Sequence, residues 1–434
     1  MARAPRKAVE WAKTALIVVL AASALFLAWR TGIFSDFFTS MPLAGSVAEL
    51  FGGTGGAAEI GGVTIREAAR PLCIVVTDAD GLRFGARFDT AERNAVYERT
   101  SSILGEALGS AAEPFEISEG EWRAALGGAG LYYEYVTPVK LSVLDAWLGS
   151  RMPDPARGIE LLRVFVSFGG ERSTLYYQEH GSGRFFCAYT ASAAGKAQEL
   201  EIYSANGAVF AYEIGVLGAE KAPYMLLMPG REHPEVRAAA IGEGQRGWAA
   251  EEALEMTLSA LGLGDEASTK YLDSAGVLVC FGTHFNIRVH ADGRVLYQRT
   301  DRADAGAARR LGEHELIEIA REIAADSVGA ACGDAEVVFE SIEAGDAEGV
   351  YSVVFGYYIA GGRIYLSDDR PAVQVSFALW EADRIEMNYR SFTFTGERVG
   401  LMQQRQALAA AGGEFMLCYA DTGAEALRPF WVRT

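Results

Sequence analysis

The chain is short of positive charge. Its 434 residues hold 39 Lys and Arg against 57 Asp and Glu, a formal charge of −18. Binding phosphates needs a basic face, so DNA and RNA are excluded as main partners. The same deficit disfavours direct adhesion to anionic lipid or wall polymer. Proline is scarce (12) while glycine is common (49), which fits many tight turns between short strands. The five cysteines are odd in number and form no C-x-x-C pair, which argues against a redox centre. Cys73, Cys187, Cys280 and Cys418 sit in apolar strand-like runs; with Cys332 they are expected to be free, buried thiols. Only one long uncharged apolar run exists, which excludes a multi-pass membrane protein. Half of the residues are hydrophobic, ample for real cores and too many for a disordered chain.

Reactive-site motifs are missing as well. There is no G-x-S-x-G, S-x-x-K, H-E-x-x-H or G-x-x-x-x-G-K-[ST]. None of the five histidines forms a zinc-like pair at i, i+4. Asp78-Ala79-Asp80-Gly81 opens like a calcium loop but lacks the rest of the pattern, and reads as a polar hairpin turn. Gly242–Gly247 matches G-x-G-x-x-G, but Val236–Ile241 before it is a poor buried strand in a proline-rich stretch, so it reads as linker. Carboxylates are numerous, and their separation is not given by the sequence. No catalytic, metal-binding or cofactor-binding residue is expected, and the chain is read as a non-enzyme.

The single apolar run lies at the N-terminus. Arg3, Arg6, Lys7 and Lys13 precede TALIVVLAASALFLAW (residues 14–29), and Arg30 closes it. This reads as a transmembrane anchor over 14–30 with a cytoplasmic tail at 1–13, by the positive-inside rule. Leu16, Val19, Ala24, Ala28 and Trp29 are the expected membrane-helix contacts, with Ala24 and Ala28 at small-xxx-small spacing. A cleaved signal peptide ending near Ala22-Ser23-Ala24 is the rival reading, and the bulky Leu25–Trp29 argues against it. Either way residues beyond 30 are expected outside the cell. That portion holds 34 basic and 56 acidic residues, so the molecule is polarised.

The body reads as α+β. Residues 31–62 form a glycine-rich connector. An N-terminal domain over 63–220 begins with a hairpin around 72–86 and a helix at 90–108. Ser118 with Glu121 makes a capping box for a second helix. A strand at 131–136, a short helix at 139–148 and an antiparallel meander at 158–217 follow, with Asn206-Gly207 as a hairpin turn. Prolines and glycines mark a linker at 221–247. The C-terminal domain, 248–434, reads as two units, each a helix followed by an antiparallel sheet.

One combination of residues resembles a known family. Glu121-Trp122-Arg123-Ala124-Ala125-Leu126, Tyr132-Tyr133-Glu134-Tyr135, Pro138 and Trp147 look like the first domain of the YycH family. Phe355–Ile364, Gln406-Ala407 and Leu427–Trp431 resemble YycH and its sister YycI. The resemblance implies a membrane-anchored accessory regulator of the WalK sensor histidine kinase of Gram-positive bacteria, and a PepSY-like C-terminal module. The partners it implies are that kinase, through the helix and outer domains, and a sister bitopic regulator. Trp122, Tyr133, Tyr357, Tyr358, Pro429 and Trp431 are its candidate structural or partner motif, and their types suit a sheet core as well as a contact surface. Two other readings remain open: an envelope assembly module without a kinase, and a carboxylate-dependent cell-wall polysaccharide enzyme.

Overall fold

The computed structural model describes residues 68–150, 152, 156–169, 172–191, 200–230, 232–240, 249–301, 309–423 and 426–434. The anchor reading at 14–30, with Leu16, Val19, Ala24, Ala28 and Trp29, lies outside the described residues, as does Gly242–Gly247. Among the described residues no helix is long and apolar enough to cross a membrane.

The first half builds a seven-stranded antiparallel sheet. Its strands are β1 (Cys73–Thr77), β2 (Arg83–Ala86), β3 (Phe115–Ile117), β4 (Gly130–Lys140), β5 (Glu160–Ser167), β6 (Thr174–Glu179) and β7 (Phe185–Tyr189). They lie in the order β2-β1-β4-β5-β6-β7-β3. Both faces are covered, which explains the unbroken aromatic run in β4. Successive strand residues point to opposite faces. Tyr133 faces helix α1 (Thr90–Gly109), where its hydroxyl donates to the Thr100 carbonyl at 3.0 Å. Tyr132 faces the other side, edge-on to Phe210 at 5.0 Å. There Trp122, from α2 (Glu119–Leu126), joins Phe165, Phe185, Tyr224 and Leu226 in a closed core. The capping box at Ser118 and Glu121 is formed in both directions. A third helix, α3 (Leu141–Leu148), packs beside α1.

Between the halves the sequence reading is corrected. Val209–Gly215, at the end of the expected meander, splits into β8 (Val209–Phe210) and a single helical turn, α4 (Ala211–Ile214); β8 pairs with β9 (Leu226–Leu227). Asn206 makes no hairpin. Its side-chain amide pairs with both backbone groups of Gly85, accepting at 3.0 Å and donating at 2.8 Å, and so covers the edge of β2. Within the expected linker, Glu232–Ala240 is a strand, β10, paired with β20 (Arg390–Gly400). Pro234 sits at a register shift in this ribbon, where a missing N–H is tolerated.

The second half carries an eleven-stranded sheet. Its first members are β11 (Thr269–Leu272), β12 (Leu278–Phe281), β13 (Phe285–Val289) and β14 (Arg294–Arg299). Then come β15 (Glu336–Ala344), β16 (Tyr351–Ile359), β17 (Gly362–Tyr365), β18 (Val373–Ala378) and β19 (Glu381–Asn388), and finally β21 (Phe415–Ala420) and β22 (Phe430–Arg433). The two expected helix-plus-sheet units share this one sheet, because β14 pairs with β19 from Arg294–Asn388 to Gln298–Arg384. Helices α5 (Ala249–Ala260) and α6 (Glu313–Ala324) pack on it, and α7 (Gln404–Ala411) packs near β21. The α6 helix runs into one wide π-helical turn, Ala325–Gly329. The β18–β19 hairpin turns through Leu379 and Trp380 at φ +53° and +62°, a left-handed pair that usually takes Asn and Gly.

Candidate functional site

The two halves meet along a seam stitched by charge. Arg93 of α1, 4% exposed, gives one terminal nitrogen to both carboxylate oxygens of Glu336 on β15, at 2.8 and 2.6 Å. Lys140 at the end of β4 holds Glu313 of α6 at 2.6 Å. Arg163 of β5 bridges Glu134 at 3.0 Å and Glu414 at 2.6 Å. Burial works against the Arg163 charge, but Glu134 and Glu414 outweigh it and hold the guanidinium above its ordinary range. Trp147 packs edge-on to Phe339 across the seam at 6.0 Å.

Two recesses open along this seam. The first, about 310 Å³, has Arg70, Arg93, Arg321 and Glu336 as its charged lining. The apolar remainder includes Trp147, Ile317, Phe339 and Phe355. The π-turn widens its floor at Ala325 and Gly329. Glu336 is its one carboxylate and is held by Arg93, so it lacks the facing pair of acids that glycoside hydrolysis needs. The second recess, about 280 Å³, has Lys140, Glu160, His180, Glu313 and Glu343 as its titratable lining. Both recesses are lined by Ile317 and Phe339, so they adjoin there. Among the described residues no three His, Cys, Asp or Glu side chains come together in a way that could hold a metal ion.

Of the motif residues read from the sequence, Tyr358 lines the first recess, and most are buried. Trp122 and Tyr133 have no exposed surface, and Tyr357 and Tyr358 almost none. The Tyr357 hydroxyl donates to the Asn388 carbonyl, and the Tyr358 hydroxyl donates to Glu340, which Arg363 also grips. These side chains hold the sheets together. Pro429 is buried, and Trp431 on β22 is half-buried. Trp431 lies edge-on to Phe415, His233 and Phe88 at 5.0, 5.3 and 6.2 Å, and its indole donates to the Met402 carbonyl. It therefore ties the end of the chain to the first half. All five cysteines are free and buried.

Residues that the sequence reading passed over supply the exposed apolar surface. At the β11 edge of the large sheet, Tyr271 and Leu272 are exposed, with Tyr271 stacked on Phe281. At the opposite edge Phe430 is exposed on β22, and Met402 lies exposed nearby. Edge strands with unpaired backbone and apolar side chains are templates for a partner. Two exposed aromatics flanking a polar turn were the only sequence signal for the first.

The wider comparisons agree with this architecture. No family model matches the chain, and no curated protein matches it. Its fold is similar to the crystal structure of YycH from Bacillus subtilis, with a TM-score of 0.51 and 14% sequence identity, over 85% of this chain and 94% of that one. The chain is thus a sheet-rich α+β protein with a YycH-like fold.

Proposed function

We propose that this protein is a bitopic regulator of a membrane sensor histidine kinase, working through protein contacts. The observation that carries the reading is the YycH-like fold over nearly the whole described body. The anchor at 14–30 would hold a basic tail in the cytoplasm and the acidic body outside. The kinase and a sister bitopic regulator are the partners, met through the membrane helix and through the exposed sheet edges. The α5 and α6 units, each a helix followed by antiparallel strands, form the PepSY-like module. The acidity of the body supports the reading: it keeps the body off the anionic membrane surface and leaves it free to meet another protein. The protein acts by binding rather than by catalysis.

The test is affinity capture of the full-length protein from gently solubilised membranes. A sensor kinase in the eluate is expected, and its loss when the 14–30 segment is exchanged for an unrelated apolar helix assigns the contact to that helix. An eluate with no histidine kinase and no second bitopic protein overturns the proposal.

A further inference from the structure

Arg87 directly follows β2, and its side chain is only 5% exposed. Among the described residues no carboxylate pairs with its guanidinium and no acceptor takes its N–H groups. Its Nε is wholly enclosed without a partner, while the terminal nitrogens keep the little contact with solvent that remains. Its ring contact is Phe88, whose centroid lies 5.4 Å from the guanidinium carbon. Glu134, the buried carboxylate that acts with Arg87 on Cys73, is held by Arg163 instead. An arginine does not shed its proton, so burying it without a counter-ion is costly, and a ring face is a weak substitute. His233 packs on the same Phe88 at 4.8 Å, with both ring nitrogens enclosed and without partners. The charges acting on its imidazole, Arg398 and Arg87, are both positive. In a chain of net charge −18 this is a buried spot of the opposite sign, with donors left over.

We propose that Arg87 and His233 together bind a small monocarboxylate. The Nε–H and one terminal N–H of Arg87 make a side-on fork that matches the two oxygens of a carboxylate. His233 donates an imidazole N–H to one of those oxygens; the neutral ring still has one to give. A single unpaired guanidinium balances one negative charge, whereas a dianion such as phosphate would bring an uncompensated charge into a buried place. The slight exposure of Arg87 leaves a narrow approach, which suits a ligand of a few atoms and not a folded partner. Phe88 belongs to the first half of the chain, while His233 and Trp431 come from the second. The bound anion therefore steadies the place where the end of the chain is tied to its beginning. The proposal does not depend on the partner being a kinase.

The experiment is thermal unfolding of the full-length protein while sodium formate replaces sodium chloride at constant ionic strength. The parent midpoint rises with formate and saturates; at ten times the dissociation constant the folding constant has grown about elevenfold. Arg87→Met keeps the side-chain volume and removes both the charge and the fork. Its midpoint in chloride is higher than the parent's, because the uncompensated cation is gone, and formate no longer moves it. Arg87→Lys keeps the charge without the fork, and His233→Phe keeps the ring packing without the N–H; each weakens formate binding about tenfold. A parent midpoint that is the same in formate and chloride overturns the proposal. So does a formate response that survives in Arg87→Met, or an affinity unchanged in Arg87→Lys or in His233→Phe.

Discussion

Replacing His233 with leucine is expected to remove one limb of the acid stability profile. The His233 ring is 3% exposed, between the edges of Phe88 at 4.8 Å and Trp431 at 5.3 Å. Neither ring nitrogen has a hydrogen-bond partner. Burial, helped by the nearby Arg398 and Arg87 charges, pulls its pKa from the usual 6.5 down to about 4. Between those values the unfolded chain binds the proton and the folded chain does not, so stability is lost as pH falls. The loss is about 2 kcal/mol from about pH 7.5 to about pH 5, and about 3 kcal/mol once pH passes below the folded value. Glu322 on α6 acts in the other direction. Burial first, then Glu318 beside it, lifts its carboxyl to about 7. The folded chain keeps that proton after the unfolded chain has released it, so stability falls as pH rises through 7. Glu322 is partly solvated, which shrinks its limb. The two limbs overlap, so the parent protein hides both and differences between variants must be read. Urea unfolding followed by circular dichroism at both pH values, for the parent, His233→Leu and Glu322→Gln, separates them. The stability gap between parent and His233→Leu narrows by about 2 kcal/mol toward the lower pH, and the gap to Glu322→Gln widens. A His233→Leu gap constant to within about 0.5 kcal/mol refutes the reasoning.

Trp122→Ala empties the centre of the first core and is expected to cost about 3–5 kcal/mol, read as a lower urea midpoint with an unchanged slope. Leu379→Asn with Trp380→Gly relieves two bulky residues at positive φ and raises stability by about 1–2 kcal/mol in the same assay; no gain means that the Trp380 contact with Arg310 outweighs the strain. Burial lifts Cys187 and Cys332 to about 11 and Cys418 to about 12. The native protein is therefore expected to resist alkylation at mildly alkaline pH and to expose five thiols only when unfolded, and rapid labelling of the native form would contradict this.

Local signals survived into the fold where one residue acts on its neighbours. Ser118 and Glu121 cap each other three residues apart, and Asp292-Gly293 turns β13 into β14 with Gly293 at φ +83°. The reading failed where a distant element changed a residue's use. Asn206-Gly207 has hairpin chemistry, yet the Asn206 amide is spent on Gly85, 121 positions away. Pro234 made Glu232–Ala240 look like linker, yet β20 gives that segment a partner that tolerates the proline. Tyr271–Phe281, which has the apolar content of one strand, is the β11–β12 hairpin, with every residue of the edge strand exposed. The motif tyrosines and tryptophans were visible by type, but type alone does not tell a sheet core from a contact surface. The seam recesses were invisible for a different reason. Arg70, Arg93, Glu313 and Arg321 come together only when the two halves close, and nothing local marks them.

The stitching of late residues onto early ones governs how the chain is made. Ala211, Ala222 and Leu227 form one side of a small core whose other side is Ala407, Leu408 and Phe415. Phe88 waits for Trp431, and the Met228 amide waits for the Gln404 side chain. A chain synthesised from its N-terminus can complete the seven-stranded sheet early, because those strands are close in sequence. It cannot close the face around Leu227 until about 180 further residues have emerged. During that interval the first half carries a bare apolar surface, the condition under which incomplete chains are most open to aggregation.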